Sequence, residues 1–134
     1  MKLYELPNET KLSGFTHKAI VTHTDLTETT DNTAQSVTLL AVEPGDIVQR
    51  AAFNLVTAFE NTASTAFNTT TLAVGDDDVD EFIDETEVNE NGSTVSYASH
   101  INADTPKVYT SADTGPITAT FMSMASESLA ELNA

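Results

Sequence analysis

From Lys18 to Met124 the chain is a succession of short runs rich in Thr, Val, Ile and Phe, each closed by residues that turn the backbone. Branched and aromatic side chains fit a pleated, half-buried surface, and about one residue in six is Thr. The runs are KAIVTHT (18–24), SVTLLAV (36–42), DIVQRAAFNLVTAFE (46–60), TTTLAVG (69–75), EFIDE (81–85), STVSYAS (93–99), KVYTSAD (107–113) and PITATFMSM (116–124). Pro44-Gly45 closes the second run, and Asn91-Gly92 is a hairpin signal. Earlier turns are expected at Pro7-Asn8 and near Ser13-Gly14. Short strands between turns, with no convincing long helix, predict an all-β chain folded as an antiparallel β-sandwich or, less simply, a barrel.

The run 46–60 tests the period most directly. Phe53 and Leu55 fall on one side of an extended chain, Arg50 and Asn54 on the other, so the alternation predicts a long strand. Helical spacing of Ala52, Phe53 and Val56 is the rival. Between 25 and 35 the chain is polar, and Asp25 or Thr27 is placed to cap one short helical turn. Residues 125–134, with Leu129 and Leu132 three apart, read as a helical piece, an edge strand or a loose end. Residues 1–17 read as an irregular, extended arm, which divides the chain into arm (1–17), β domain (18–124) and tail (125–134). Five of the six phenylalanines, Phe53, Phe59, Phe67, Phe82 and Phe121, are expected in the core.

At 134 residues a single domain is expected, with roughly 65–70% of the unfolded surface buried. There is no cysteine, so neither a disulfide nor a thiolate metal site is possible. The formal net charge is −16, from 21 acidic and five basic side chains. Such a chain repels nucleic acid and anionic membranes, because phosphate binding needs clustered Lys and Arg. Its self-repulsion is relieved in a salty medium, where the Debye length falls from about 10 Å at 0.1 M to about 3 Å at 1 M. No secretory signal or membrane-spanning run is visible, and an aqueous setting is expected; the sequons at Asn8, Asn68 and Asn91 then carry no meaning.

One stretch, LAVGDDDVDEFIDETEV (72–88), invites a calcium reading. Asp76, Asp78, Asp80, Asp84 and Glu87 occupy offsets 1, 3, 5, 9 and 12 of an EF-hand loop, and Ile83 sits at its apolar offset 8. Glu81 stands where that loop needs Gly for its sharp turn, and the flanks read as strands rather than helices. The expectation is therefore a solvated inter-strand loop and no metal. His17, His23 and His100 have no carboxylate at ligand spacing, no G-x-S-x-G elbow or phosphate loop occurs, and no Trp platform exists for a sugar. No catalytic residue, no metal ligand and no cofactor are expected, and the chain reads as a non-enzyme.

With strands and turns placed, the order THTDLTETT (22–30), SVTLLAVEPGDIV (36–48), LVTAFENTASTAFNTTTLAVGDDDVDEFI (55–83) and VYTSADTGPITATF (108–121) resembles a family of small structural proteins of tailed bacteriophages, the head decoration or capsid cement proteins. The resemblance covers about residues 20–124 and lies in turn-and-strand pattern, without a chemical signature. It implies a non-enzymatic, jelly-roll-like β-sandwich bound to the major capsid protein on the outside of the virion, made in the host cytoplasm. It also implies a homotrimer that reinforces contacts between capsomers. In that pattern the Pro44-Gly45 turn closes a first hairpin, Phe59 begins a strand opposite TLAVGD, Phe82-Ile83 covers the core, and 109–121 forms a final hairpin. Leu3, Tyr4, Leu6, Leu12 and Phe15 follow no strand period that would bury them in a lone domain. With Leu129 and Leu132 of the tail they are the residues expected to contact capsid or sister subunits. A carbohydrate- or receptor-binding sandwich on a phage tail or fibre is the alternative function, and a calcium-stabilised β domain a third.

Overall fold

The computed structural model describes residues 1–5, 15–64, 67, 69–89, 106–113, 115–123 and 126–134. The turns expected at Pro7-Asn8 and Ser13-Gly14, the Asn91-Gly92 hairpin, the run 93–99, His100, and Leu6 and Leu12 lie outside these residues. Eight strands are described: β1 (Lys2–Glu5), β2 (His17–Ile20), β3 (Ala34–Leu40), β4 (Ile47–Val48), β5 (Thr71–Gly75), β6 (Ile83–Glu87), β7 (Lys107–Val108) and β8 (Ile117–Met122). They form a four-stranded sheet in the order β3-β8-β5-β6 and two ribbons, β1-β2 and β4-β7. Every pairing is antiparallel. Two single 3-10 turns, His23–Asp25 and Leu129–Glu131, are the helical pieces. The architecture is all-β, as the short Thr- and Val-rich runs predict.

β8 is the hub of the large sheet. Its burial alternates strictly from Ile117 to Phe121, with Ile117, Ala119 and Phe121 inward and Thr118 and Thr120 outward. Register carries that face across both neighbours: Val37 and Val74 both stand opposite Ala119, and Leu72 stands opposite Phe121. Ile83, opposite Val74, extends it to β6. On the outer face Ser36 and Thr120 lie with their hydroxyls 2.9 Å apart. The core closes over the inner face with Leu55, Ala58, Phe59 and Phe67 from irregular chain, and with Leu26, Tyr109, Leu129 and Leu132. Phe59 and Phe121 meet at 5.3 Å between ring centroids in a tilted pair. Phe82, Phe121 and Phe67 are buried, and Phe53 packs partly buried against them.

Several expectations are corrected. The segment 46–60 is not one strand: Ile47–Val48 is extended in a ladder, and Ala52 makes a single isolated bridge. The alternation holds through Leu55, then the chain bends at Val56-Thr57, leaving Val56 84% exposed while Ala58 and Phe59 turn inward. The Phe59 N–H then bonds to the Val88 carbonyl at 2.8 Å and Glu60 N–H to Ala134, so this chain is tied to the end of β6 and to the tail. Phe59 therefore starts no strand opposite β5. Pro44-Gly45 does form its turn, with Gly45 at φ +99° and the Asp46 N–H bonded to the Glu43 carbonyl at 3.0 Å, a type II geometry. It does not close a hairpin, because β3 pairs with β8 and β4 with β7. For the same reason β7 and β8 are not a final hairpin.

Both ends of the described chain also differ from expectation. The first residues are no irregular arm: β1 pairs with β2 in the register Lys2 to Ile20, Leu3 to Ala19, Tyr4 to Lys18 and Glu5 to His17. The strand read as 18–24 stops at Ile20 and yields to the 3-10 turn His23–Asp25. Thr22 precedes this turn and Asp25 closes it, its carboxylate accepting from the Thr22 N–H at 2.8 Å and hydroxyl at 3.1 Å. Asp25 is thus the closing carboxylate and not the N-cap. In the tail Ser128 and Glu131 repeat the device around Leu129–Glu131.

Candidate functional site

Two features stand out from the core: the acidic turn after β5 and the β1-β2 ribbon. The turn is possible because residue 75 is Gly; a Cβ there would lie 1.9 Å from the Asp78 carbonyl oxygen. That close fold-back lets the Asp76 N–H bond to Asp78 O at 3.0 Å and Glu81 N–H reach the same carbonyl at 3.2 Å. The carboxylates then divide. Asp77 and Asp78 are exposed, in keeping with a solvated loop. Asp76 is not: its side chain is 5% exposed and accepts from Lys107 Nζ and from the Tyr109 hydroxyl, each at 2.7 Å.

The electrostatics follow from that geometry. Burial works to raise the Asp76 carboxyl, but the bonds from Lys107 and Tyr109 and the nearby Asp78 backbone outweigh it and hold the group below its ordinary value. The Asp76 partner lifts Lys107 above its usual range, with Glu81, 3.9 Å away, adding to it. Burial and the Asp76 hydrogen bond push the Tyr109 hydroxyl far up. Asp80 is raised by the Asp78 carboxyl beside it. Asp76 thus has its charge spent on a lysine and a tyrosine, and is not turned out to the loop with Asp77 and Asp78. Among the described residues no group of three or more His, Asp or Glu side chains is placed to hold a metal ion. Sequence reasoning missed Lys107 and Tyr109. Their signal was one of only five cations two positions from a Tyr, which puts both on one side of extended chain.

The ribbon differs in kind. Residues directly opposite in an antiparallel pair share a face, so Lys2, Tyr4, Lys18 and Ile20 lie on one side and Leu3, Ala19, Glu5 and His17 on the other. Neither side is covered: Leu3 is 43%, Tyr4 44% and Ile20 39% exposed. Met1, Lys2, Tyr4, Ile20, Thr22, Thr24 and Asp25 border an open hollow of ≈ 290 Å³. The Met1 amine pairs with Asp25, which ties the ribbon to the 3-10 turn at its root. At the far end of β2 the Phe15 ring, half-buried, receives the Arg50 guanidinium 5.7 Å from its centroid.

Of the expected contact residues, the structure places Leu3 and Tyr4 on the ribbon, on opposite faces, and sets Phe15 at its far end. Leu129 and Leu132 are placed elsewhere. They are 0% and 4% exposed within the chain's own core, so they present no surface to a partner and stand as a correction. Their spacing of three, read as the mark of a helical piece, belongs to the 3-10 turn Leu129–Glu131 and carries both into the core cluster with Phe59 and Phe121. Ile20, Lys2 and Lys18 join the exposed group only because of the β1-β2 pairing. No described helix is long and apolar enough to cross a membrane. Comparison of the chain with protein-family models, curated proteins and solved structures finds no match.

Proposed function

We propose that this chain is a non-enzymatic structural protein of a tailed-phage virion, a jelly-roll-like β-sandwich that binds the outer surface of the capsid and reinforces contacts between capsomers. Its partners in this reading are the major capsid protein and sister copies in a trimer. One observation carries the reading: a ribbon that stands outside the core and holds Leu3, Tyr4 and Ile20 in the open. Two-stranded ribbons are marginal in water on their own, and clustered exposed apolar side chains mark interaction surfaces. Docking would cover what the fold leaves bare. The threonine-rich outer sheet face and the strongly acidic surface suit the water side of a crowded shell, where like charge keeps particles apart.

The test is occupancy. Purified shells lacking the protein are incubated with the full chain or with a chain lacking residues 1–15, and bound protein is counted by cryo-microscopy. Among the described residues the core cluster lies beyond residue 15, so the shortened chain should fold and yet fail to decorate. Equal occupancy by both chains would end the ribbon's role, and absence of binding by the full chain would end the capsid reading.

A further inference from the structure

The charge of this chain is unevenly distributed. Residues 1–18 hold Lys2, Lys11 and Lys18 against Glu5 and Glu9, a net +1. The remaining residues hold 19 carboxylates against Arg50 and Lys107, a net −17. Cross-strand register then puts Lys2 and Lys18 on the same ribbon face as Tyr4 and Ile20. Among the described residues neither ammonium is in an ion pair.

The second ribbon is its counterpart in sign. Ile47 stands directly opposite Val108, and the two are 53% and 54% exposed, so they form one bare apolar pair. The turn that leads into Ile47 carries Glu43 and Asp46, both exposed. The one cation on this ribbon, Lys107, is turned to Asp76 and is no rival for these carboxylates. Within one copy the Phe15–Arg50 contact joins the neighbourhoods of the two ribbons, yet Ile47, Val108, Tyr4 and Ile20 all stay exposed. The cationic apolar face and the anionic apolar face therefore do not cover each other in cis.

We propose that the Lys2–Tyr4–Lys18–Ile20 face docks on the Ile47–Val108 face of a second copy of this chain, with Glu43 and Asp46 receiving the lysines. The contact is heterologous, joining different surfaces on the two copies, so repetition closes a ring or continues as a filament. Opposite local charge guides the encounter of two molecules whose net charges repel, and the apolar pairs supply the buried centre. This inference rests on the surfaces alone and not on the capsid reading, and its experiment contains no shell.

Sedimentation velocity on the full chain over a concentration series tests it, with three further samples. Lys2→Glu with Lys18→Glu reverses the first face; Glu43→Lys with Ile47→Lys reverses the second; the third sample is an equimolar mixture of these two variants. All four positions are exposed, and far-UV circular dichroism with a thermal melt checks that each variant is folded. The wild type should self-associate, and each variant alone should associate about 100-fold more weakly, because like charges brought together cost several kcal/mol. The mixture should regain association, since the untouched acidic face of one variant meets the untouched lysine face of the other, and the two reversed faces are again opposite in sign. A monomeric wild type, variants that associate like the wild type, or a mixture no better than its components would each overturn the proposal.

Discussion

Replacing Asp76 with asparagine removes one charge from a side chain that is 5% exposed, and leaves Lys107, 24% exposed, without its closest anion. Asn retains an oxygen that can accept the Tyr109 hydroxyl, so the change isolates the ionic part of the network. Breaking a fully buried pair by removing one partner costs about 3–5 kcal/mol, whereas an exposed pair is worth about 0–1. With one partner buried and the other partly wet, a loss of about 2 kcal/mol is expected. At about 2.1 cal/mol/K of unfolding entropy per residue, a chain this long loses roughly 3–4 °C in Tm per kcal/mol, so the variant should melt about 7 °C lower at neutral pH.

The pH dependence of that gap has a definite sign. Asp76 is held below its ordinary value of 3.8, so its stabilisation is present above that value and disappears as pH falls through the lower folded one. The Tm difference between wild type and Asp76→Asn should therefore shrink in acid. Lys107 is raised above its ordinary 10.5, so its share is intact below that value and is lost only as pH climbs through the folded one. Thermal melts across pH, with Lys107→Met and the double variant, complete the cycle. The double variant should be less destabilised than the two single changes added together, because the pair is coupled. A Tm shift under about 2 °C at neutral pH for Asp76→Asn, a reading below roughly 0.5 kcal/mol, would refute the buried-anchor account.

Four other outcomes are expected. Asn89→Ala removes the amide that accepts from the Thr70 N–H and donates to the Phe59 carbonyl, both buried; two orphaned backbone groups should cost about 2–4 kcal/mol in denaturant titration. Gly75→Ala forces a Cβ onto the Asp78 carbonyl and onto Val79, so it should lower the melt by more than Asp76→Asn does, whereas Gly45→Ala should be milder because nothing lies within 4 Å of its Cβ and only the turn's φ is strained. Leu129→Ala, at a fully buried position, should lose about 2–5 kcal/mol by the same titration. Added calcium or chelator should leave the wild-type melt unmoved, since Asp76 is already engaged by Lys107 and Tyr109.

What could be read from the sequence was local. The runs at 36–42, 69–75 and 116–124 carry their own alternation between turn residues, and β3, β5 and β8 lie within one or two positions of them. EFIDE was placed two positions early, because the fold-back at Gly75 consumes Glu81 and Phe82 before pairing resumes at Ile83. The run 46–60 failed where a distant partner took over: nothing near Val56 announces that Phe59 will bond to Val88. Leu129 and Leu132 were legible as apolar and not as core, since the cluster they join is assembled from segments far apart in the chain. The three aspartates 76–78 are identical letters. Only the arrival of Lys107 and Tyr109, some thirty positions later, separates an anchor from two solvated neighbours.

The place of β8 between β3 and β5 has a consequence for how the molecule comes into being. Ser36 and Thr120, which touch across that sheet, are 84 positions apart, so β3 has no mate in the sheet, and β5-β6 is not joined to it, until nearly the whole chain is made. Pairings of this span bring refolding to the order of milliseconds to seconds rather than microseconds. During that wait β3, seven residues without a single charge, proline or glycine, is an open invitation to other strands. A nascent chain in that condition stays dispersed through the carboxylates around it, so the acidity of this protein serves its birth as well as its finished surface.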